Sequence, residues 1–414
     1  MIKGLIALSF GTLSFGTAEF VVMGLLPYIA QDFGVSHAMA GNTIAAYSFG
    51  VCTGVIYLIS TRKLNLKTSI LIVISVHFLA LIATAFAPSF KMLLAARFFS
   101  GMPHGCYIGL GAIIAARLAK YGNGSSAMAI LLAGQTLANV LCVPLGTTLA
   151  HAFSWRMIFY IFIFWSMFVF ISVWHFLPDP GKMEDKGFKN QFAFLKYKAP
   201  YLVGAAMLLG NGGIFCMHTY VSPVLTDFVG IPLAAVSTIL IAMGIAMAIA
   251  NLIAGKVSDI FTPGRVSCFL LFSTILTLLG SFFWGNNAWI GIPLLIYSSG
   301  MLFGLSTPLQ VAILRTAPGG ELIAMAIGQI GFNLGNSLGA FVGGIPLDLG
   351  MSPSYCILVG AAITALGTIT MYIYVRKDEY RYDKTRKQRL IDEAHNHQPL
   401  EQAQDRNHGS VQKA

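Results

Sequence analysis

The residues best suited to chemistry are a few ionisable side chains inside long apolar stretches. Glu19 lies ten residues before Ile29, so a helix would place its carboxyl group about 15 Å below that end of the stretch. Arg97 lies six residues after Lys91, about 9 Å deep, and His104 lies about 20 Å deep. A charge near the centre of a bilayer costs about 2.5–3.5 kcal/mol, so each of these groups requires a partner, water or a neutralising proton.

Glu19 and Arg97 are predicted to meet, because their depths are similar. Burial favours the neutral carboxylic acid, whereas a nearby arginine favours the carboxylate. A conformational change that altered this contact would therefore load or unload a proton. Two structural alternatives remain open: a buried ion pair that locks two helices together, or an Arg97 side chain that extends to the membrane surface.

Other polar side chains lie at membrane depth without a formal charge. His104 follows Pro103, which would kink its helix and widen a cavity, although a lone histidine can equally be a packing residue. The pair Gln135 and Asn139 lies at i and i+4, and so does the pair Gln329 and Asn333. Hydrogen bonds between helices would explain both pairs, and contact with a hydroxylated substrate is the alternative. Further candidates for substrate contact are Tyr47, Asn211 and Gln310, and Asn336 joins the second pair.

The elements that position these residues are predicted to be membrane-spanning helices. Hydrophobic residues make up 56% of the 414 residues and charged residues 10%, with a mean hydropathy of +0.73. An ordinary soluble domain has roughly a quarter charged residues. Twelve apolar runs each exceed the roughly 17–25 residues that cross a bilayer, and none shows the short alternating pattern of barrel strands. The runs are 4–30, 38–60, 68–87, 92–116, 126–150, 155–177, 200–226, 232–256, 266–284, 288–313, 321–347 and 352–375.

The distribution of charge predicts the orientation of these helices. The net charge of +10 does not indicate a nucleic-acid partner, because most lysines and arginines lie in the breaks between apolar runs. With the N-terminus inside, the outer breaks hold only the basic residues Lys91 and Arg156. This asymmetry predicts that both termini are cytoplasmic.

The chain is predicted to consist of two similar halves. The sequence SGMPHG at residues 100–105 returns as SGMLFG at residues 299–304, and Gly134, Gln135 and Asn139 return as Gly328, Gln329 and Asn333. We therefore predict an all-α membrane protein with two pseudo-symmetric six-helix bundles, a parallel repeat that allows the bundles to rock about a central site. The expected divisions are a first bundle at 1–177, a cytoplasmic linker at 178–199, a second bundle at 200–376 and a disordered tail at 377–414.

Several other functions are disfavoured by the sequence. The six cysteines are scattered singly in apolar runs, which predicts packing and neither disulfides nor a metal site. We find no HExxH or GKS/T motif, so neither an enzyme nor an ATP-driven pump is expected, and no cofactor is predicted.

Several sequence motifs resemble those of a known family. The stretch GTAEFVVMGLLPYIAQDFGVS at 16–36 is similar to the first-helix motif of the major facilitator superfamily, in its twelve-helix drug and sugar antiporter branch. RFFSGMPHG at 97–105 resembles the fourth-helix motif of that branch. Within the branch, PLGT at 144–147, SWR at 154–156 and the pattern GGELxxxAxGQIxFNLG at 319–335 look most like sugar efflux proteins of the AraJ type.

The resemblance implies roles for particular residues. Glu19 and Arg97 match the positions implicated in proton coupling, with a cavity between the first, fourth, seventh and tenth helices. The gating motif after the second helix is altered, because Tyr57 and Thr61 replace its Gly and Asp. The gating candidates that remain are Arg62, Lys63 and Lys67 in the first half and Gly255 and Asp259 in the second.

The sequence therefore predicts a proton-coupled efflux transporter of sugars or similar small molecules in the bacterial inner membrane. A multidrug or nucleoside exporter, or a symporter of the same fold, is the alternative within transport, and a membrane-embedded enzyme or sensor is the alternative outside it. The expected partners are a small-molecule substrate, protons and the lipid bilayer, with no nucleic acid, and the expected state is a monomer.

Overall fold

The computed structural model describes residues 2–60, 64–118, 124–182 and 188–379, with a few residues inside these ranges described by their backbone alone. Twelve helical segments follow one another along the described chain, and we number them α1 to α12. The first half consists of α1 (Ile2–Phe33), α2 (His37–Ser60), α3 (Leu66–Ala85), α4 (Phe90–Leu118), α5 (Gly124–Leu137, a π-helical turn at Ala138–Cys142, and Val143–Ala152) and α6 (Arg156–Phe176).

The second half begins after a 3₁₀ helix at Phe188–Lys196 in the connecting segment. It consists of α7 (Ala199–Ala206, a π-helical turn at Met207–Asn211, Gly212–Thr219, Val221–Pro223 and a π-helical turn at Val224–Phe228), α8 (Leu233–Ile260), α9 (Pro263–Trp284), α10 (Ala288–Gly304 and Ser306–Arg315), α11 (Glu321–Asp348) and α12 (Ser354–Tyr374, followed by a π-helical turn at Val375–Glu379). Each predicted apolar run coincides with one of these segments to within four residues at either end, so the all-α membrane fold is confirmed.

Ten of the segments are long and apolar enough to cross a membrane when only the described residues are considered. The two that fall outside this group are α2 and α11, which have 24 and 28 residues. These two helices pack against each other across the junction between the halves.

Glycines allow close helix packing within each half. A side chain at Gly50 or Gly54 of α2 would strike the backbone carbonyl group of Phe98 or Met102 on α4. Gly339 of α11 lies against the backbone of α7 in the same way. Helices that touch backbone to backbone gain van der Waals contact where lipid offers no hydrophobic driving force.

The two halves meet at the face of the bundle opposite to the face at which α1 begins, which we call the N-terminal face. At this opposite face the hydroxyl oxygen of Tyr220 lies 2.7 Å from the carbonyl oxygen of Ala340 and 3.5 Å from that of Ala38. A Cβ atom added at Gly41 or Gly344 would overlap the same hydroxyl group. The ring of Tyr220 therefore fits between α2 and α11 only because both helices carry glycine there.

Two hydrogen bonds between the halves reinforce this closure. The Ser36 hydroxyl group donates to Asp348 Oδ1 at 2.9 Å, and the Ser222 hydroxyl group donates to the carbonyl oxygen of Met23 at 3.1 Å. The opposite face is thus closed by contacts between α1, α2, α7 and α11.

The last described residue stabilises the start of α9. Glu379 is buried, and its carboxylate accepts hydrogen bonds of 2.8 Å from the Thr262 hydroxyl group and the Gly264 N–H. It thus supplies the acceptor that an N-terminal helix turn requires, from a part of the chain more than a hundred residues away.

We predict that Gly344→Ala opens the opposite face. The added methyl group overlaps Tyr220, and overpacking of this kind costs about 1–3 kcal/mol, which shifts the equilibrium between closed and open conformations roughly 5- to 100-fold. Distances between spin labels at the exposed positions Lys91 and Ser352, measured by double electron–electron resonance, should lengthen. Gly204→Ala is the control, because a Cβ atom there lies 3.9 Å from its nearest neighbour. An unchanged distance distribution in Gly344→Ala would contradict this account.

We predict that Glu379→Ala lowers thermal stability by about 1–3 kcal/mol, because it leaves the buried Gly264 N–H without its acceptor. The measurement is unfolding of the purified protein followed by intrinsic fluorescence. Lys377→Ala, at an exposed position two residues earlier, should leave the transition in place. Equal effects of the two substitutions would show that the hydrogen bonds of Glu379 at the start of α9 do not contribute to stability.

Candidate functional site

A cavity of about 300 Å³ lies between the two halves and is here called the central cavity. It extends from the middle of α1 towards the N-terminal face, between the later parts of α4 and α10 and the earlier parts of α5 and α11. Its described lining includes the predicted site residues Glu19, Gln135, Asn211, Gln310, Gln329 and Asn333. The structure therefore brings together six of the predicted residues from both halves.

Glu19 lies at the closed end of the central cavity and is 4% exposed. Its Oε1 accepts a hydrogen bond of 3.3 Å from the amide group of Asn336, which belongs to the second half. Its Oε2 lies 3.6 Å from Nδ1 of His104 in the first half. The carboxyl group is thus the point at which polar groups of the two halves meet.

Arg97 does not make the predicted contact with Glu19, and no ion pair between the two side chains is found in the described part of the chain. Its Nη1 instead donates to the carbonyl oxygen of Ala18 at 2.7 Å, and its Nε donates to that of Thr43 at 3.4 Å. The guanidinium group also lies 4.3 Å from the centre of the Tyr47 ring. Backbone oxygens and an aromatic ring therefore contact the guanidinium group, and its Nη2 is buried without a hydrogen-bond partner.

His104 and Tyr47 lie behind Glu19 and are not part of the cavity lining. The Tyr47 hydroxyl group lies 3.1 Å from His104 Nδ1 and donates to the carbonyl oxygen of Phe15 at 3.2 Å. The His104 ring stacks on Phe15 at 5.4 Å between ring centres. These contacts turn both side chains into the first half, so the structure does not place them against a substrate.

His77 is a packing residue in this structure. Its Nε2 lies 3.0 Å from the Ser14 hydroxyl group, and its ring packs on Phe15 at 4.0 Å. His218 is also buried, with Nδ1 at 3.3 Å from the Ser299 hydroxyl group. Neither histidine lines the central cavity.

A chain of asparagine side chains leads from α7 to Glu19. The amide group of Asn211 donates to Asn336 Oδ1 at 2.5 Å, and the amide group of Asn336 donates to Glu19. Both donors thus point towards the carboxyl group. A carboxylate oxygen and the carbonyl oxygen of a neutral carboxylic acid both accept such a bond, so the arrangement fits either protonation state of Glu19.

The two repeated Gln and Asn pairs have the same local geometry but different surroundings. The amide groups of Asn139 and Asn333 each donate to the backbone carbonyl oxygen of the glutamine four residues earlier, at 3.0 Å in both cases. Asn333 lines the central cavity, and its Oδ1 is buried without a hydrogen-bond partner. Asn139 instead lines a separate small pocket that also contains His218.

The loop and gating candidates are only partly described. Lys67 donates to the carbonyl oxygen of Leu177 at 2.6 Å, so it holds the start of the connecting segment against the first half. Asp179 in that segment accepts 2.8 Å hydrogen bonds from the Gly181 N–H and the Asn65 amide group, which lower its pKa. A Cβ atom at Gly255 would lie 3.7 Å from Thr307 on α10, which leaves room for a side chain. Arg62, Lys63, the Asp259 side chain and the residues of the tail from 380 to 414 lie outside the described part.

Sequence reasoning missed several residues of the cavity wall, among them Asn251 and Thr307. The Thr307 hydroxyl group donates to Asn251 Oδ1 at 2.8 Å, and both residues line the central cavity. Asn251 could have been found by the rule that located Asn211, since both are amides within an apolar run. Groups of three or more His, Cys, Asp or Glu side chains able to hold a metal ion are absent from the described residues.

Comparisons with known proteins agree with this architecture. Two matches to the Major Facilitator Superfamily model cover residues 8–322 and 219–403. "Putative transporter AraJ" of Escherichia coli (strain K12) is 35% identical over 378 residues, which are 91% of this chain and 96% of that protein. "Inner membrane transport protein YdhP" of the same strain is 30% identical over 377 residues, which are 90% of this chain and 96% of that protein.

Solved structures show the same fold. A mutant of the nucleoside transporter NupG has a TM-score of 0.74 at 14% identity, covering 90% of this chain and all of that one. A D-xylose–proton symporter has a TM-score of 0.73 at 13% identity, covering 90% of this chain and 97% of that one. The order of the helices, the cavity between the halves and the sequence matches lead to one conclusion: this chain belongs to the Major Facilitator Superfamily and is a multi-pass membrane transporter.

Proposed function

We propose that this transporter exports sugars or similar small molecules in exchange for protons, by alternating access to the central cavity. Glu19 carries the proton, Arg97 tunes its affinity, and the amide side chains of the cavity bind the substrate. The observation that supports this most directly is that Glu19 is the one ionisable residue in the described lining, at the cavity's closed end.

The cost of a charge in the membrane explains why such a carboxyl group would take up a proton. A charge at the bilayer centre costs at least about 2.5–3.5 kcal/mol, so a buried carboxylate without a bound cation gains by becoming neutral. Arg97 acts in the other direction, because its positive charge favours the carboxylate. The balance between these two effects changes when the central cavity closes to one side of the membrane and opens to the other.

The hydrogen bond from Asn336 gives the proton a way to act on the conformation. It joins the second half to Glu19 in the conformation that is closed at the opposite face. A proton on the carboxyl group adds a donor and weakens the charge that attracts the asparagine amide groups. Proton uptake would therefore loosen one contact between the halves, and substrate binding would compete with it.

We further propose the bacterial inner membrane as the location, with both termini cytoplasmic, because the basic residues concentrate in breaks on the N-terminal face. In that orientation the central cavity opens to the cytoplasm, where a substrate for export is loaded. The moving units are the bundles 1–177 and 200–376, joined by the linker 178–199 and followed by the tail 377–414, and the functional unit is a monomer.

Two alternatives within transport keep the same site. A nucleoside exporter would use the amides for base and ribose contacts, and a proton symporter would bind proton and substrate together. The similar folds of a nucleoside transporter and a D-xylose–proton symporter motivate both. Flux of labelled sugars, nucleosides and cationic drugs in proteoliposomes, with the pH gradient imposed in either direction, distinguishes these substrates and directions.

We predict that Glu19→Gln abolishes drive by a pH gradient while retaining exchange of substrate down its own gradient. Glutamine keeps the shape and a hydrogen-bond acceptor but cannot release a proton. The measurement is flux in proteoliposomes with and without an imposed pH gradient. Asp227→Asn, at an exposed acid on α7, is the matched control and should behave as the unaltered protein. Coupled flux with an unchanged pH dependence in Glu19→Gln would rule out this role.

We predict that Gln329→Leu and Gln135→Leu each weaken substrate binding by about 5- to 10-fold, since a hydrogen bond contributes about 1 kcal/mol net. Titration of the purified protein by calorimetry with the transported substrate gives the change in Kd. Gln31→Leu, an exposed position at the end of α1, should leave Kd unchanged. Unaltered binding in both cavity variants would place the substrate elsewhere.

A further inference from the structure

The wall of the central cavity that comes from the first half is apolar. Its residues on α4 are Ile108, Ala112 and Ile113, at helical spacing on one face, and α5 adds Met128 and Leu132. We call these five residues the apolar wall. Gly105 and Gly109 complete the α4 face without a polar side chain. Apart from Glu19, Gln135 and Thr136, the described lining residues of the first half carry no side-chain hydrogen-bonding group.

The facing wall from the second half is rich in hydrogen-bonding groups. Besides Asn211 and Asn336, which lead to Glu19, its polar side chains are Asn251, Ser306, Thr307, Gln310, Gln329 and Asn333, here called the polar wall. Apolar side chains of this half, among them Leu302, Phe303 and Phe332, line the rest. Gln310 donates to the Ser306 hydroxyl group at 3.1 Å and Thr307 donates to Asn251, so these groups are held in place by their neighbours. Asn333 Oδ1 is buried without a partner and so is able to accept from a ligand.

The internal repeat allows equivalent positions of the two walls to be compared. The motifs SGMPHG and SGMLFG align α4 with α10, and the same alignment pairs Ile108 with Thr307. This pair therefore places an apolar side chain in one wall and a polar side chain at the equivalent position of the other. A ligand that is polar on every side would bind poorly here. Its hydroxyl groups facing α4 would lose their hydrogen bonds to water without replacement.

We propose that the substrate is a molecule without negative charge and with two chemically different ends, bound with its hydroxyl-bearing end on the polar wall and its apolar end on the apolar wall. The absence of Lys, Arg and His from the described lining gives no counter-charge for an anionic ligand. The inference rests on the proposed function only in taking the central cavity as the substrate site. It adds to that function a substrate class and a binding orientation.

The test uses n-alkyl β-D-glucosides from methyl to hexyl as probes, with the protein in lipid nanodiscs to avoid alkyl-glycoside detergents that would compete. Affinity should rise about three- to fourfold for each added methylene, the ratio that corresponds to about 0.8 kcal/mol per buried methylene. Protein-free nanodiscs of the same lipid measure the partition of each probe into the bilayer, and their signal should show no saturable binding.

Two variants locate the apolar end. Ile108→Thr and Ile113→Thr should each flatten the dependence of affinity on chain length, and Ile171→Thr on the lipid-facing side of α6 should keep it. The slope is compared within each variant, and having two variants guards against one that does not fold.

The outcomes separate this inference from the proposed function. Binding of methyl glucoside with no gain from longer chains, or a slope that survives both α4 substitutions, overturns the two-ended substrate and leaves sugar transport standing. Absence of binding and of transport for every glucoside overturns both.

Discussion

The structure depends on one carboxyl group that is buried in the junction between two helix bundles. Glu19 has the second half on one side, through Asn336, and the first half on the other, through His104 and the nearby Arg97. In every conformation the charge of this carboxyl group must be neutralised by a proton or stabilised by water or by these partners. Because the partners come from both halves, movement of the halves and the charge of Glu19 cannot be independent.

The remaining architecture keeps this junction accessible from one face only. Tyr220 fills the gap between α2 and α11 at the opposite face, where glycines on both helices make room for it. The central cavity occupies the other side of Glu19. A bundle with one closed and one open face is the arrangement that a two-state transporter needs, since its cavity must not be open to both sides of the membrane at once.

Much of the fold could be predicted from the sequence, because apolar length and charge asymmetry follow directly from the bilayer. The depth of Glu19 was predictable for the same reason. Depth along a helix does not fix rotation about its axis, however, and the predicted Glu19–Arg97 contact was wrong for that reason: Arg97 finds the Ala18 and Thr43 carbonyl oxygens first. Local geometry also misled the reading of Asn139. It makes the same hydrogen bond to the residue four positions earlier as Asn333 does, but its backbone lies against Gly244 of α8 and it lines another pocket.

The central claim is that the Glu19 carboxyl group exchanges its proton with substrate, and proton release on binding tests it most directly. The protein, in weakly buffered solution with a pH indicator, is mixed with a saturating sugar substrate at a pH where transport is coupled. The account predicts release of a proton to solution on binding, and loss of that release in Glu19→Gln. Proton uptake on binding, or release of the same size from Glu19→Gln, would contradict it.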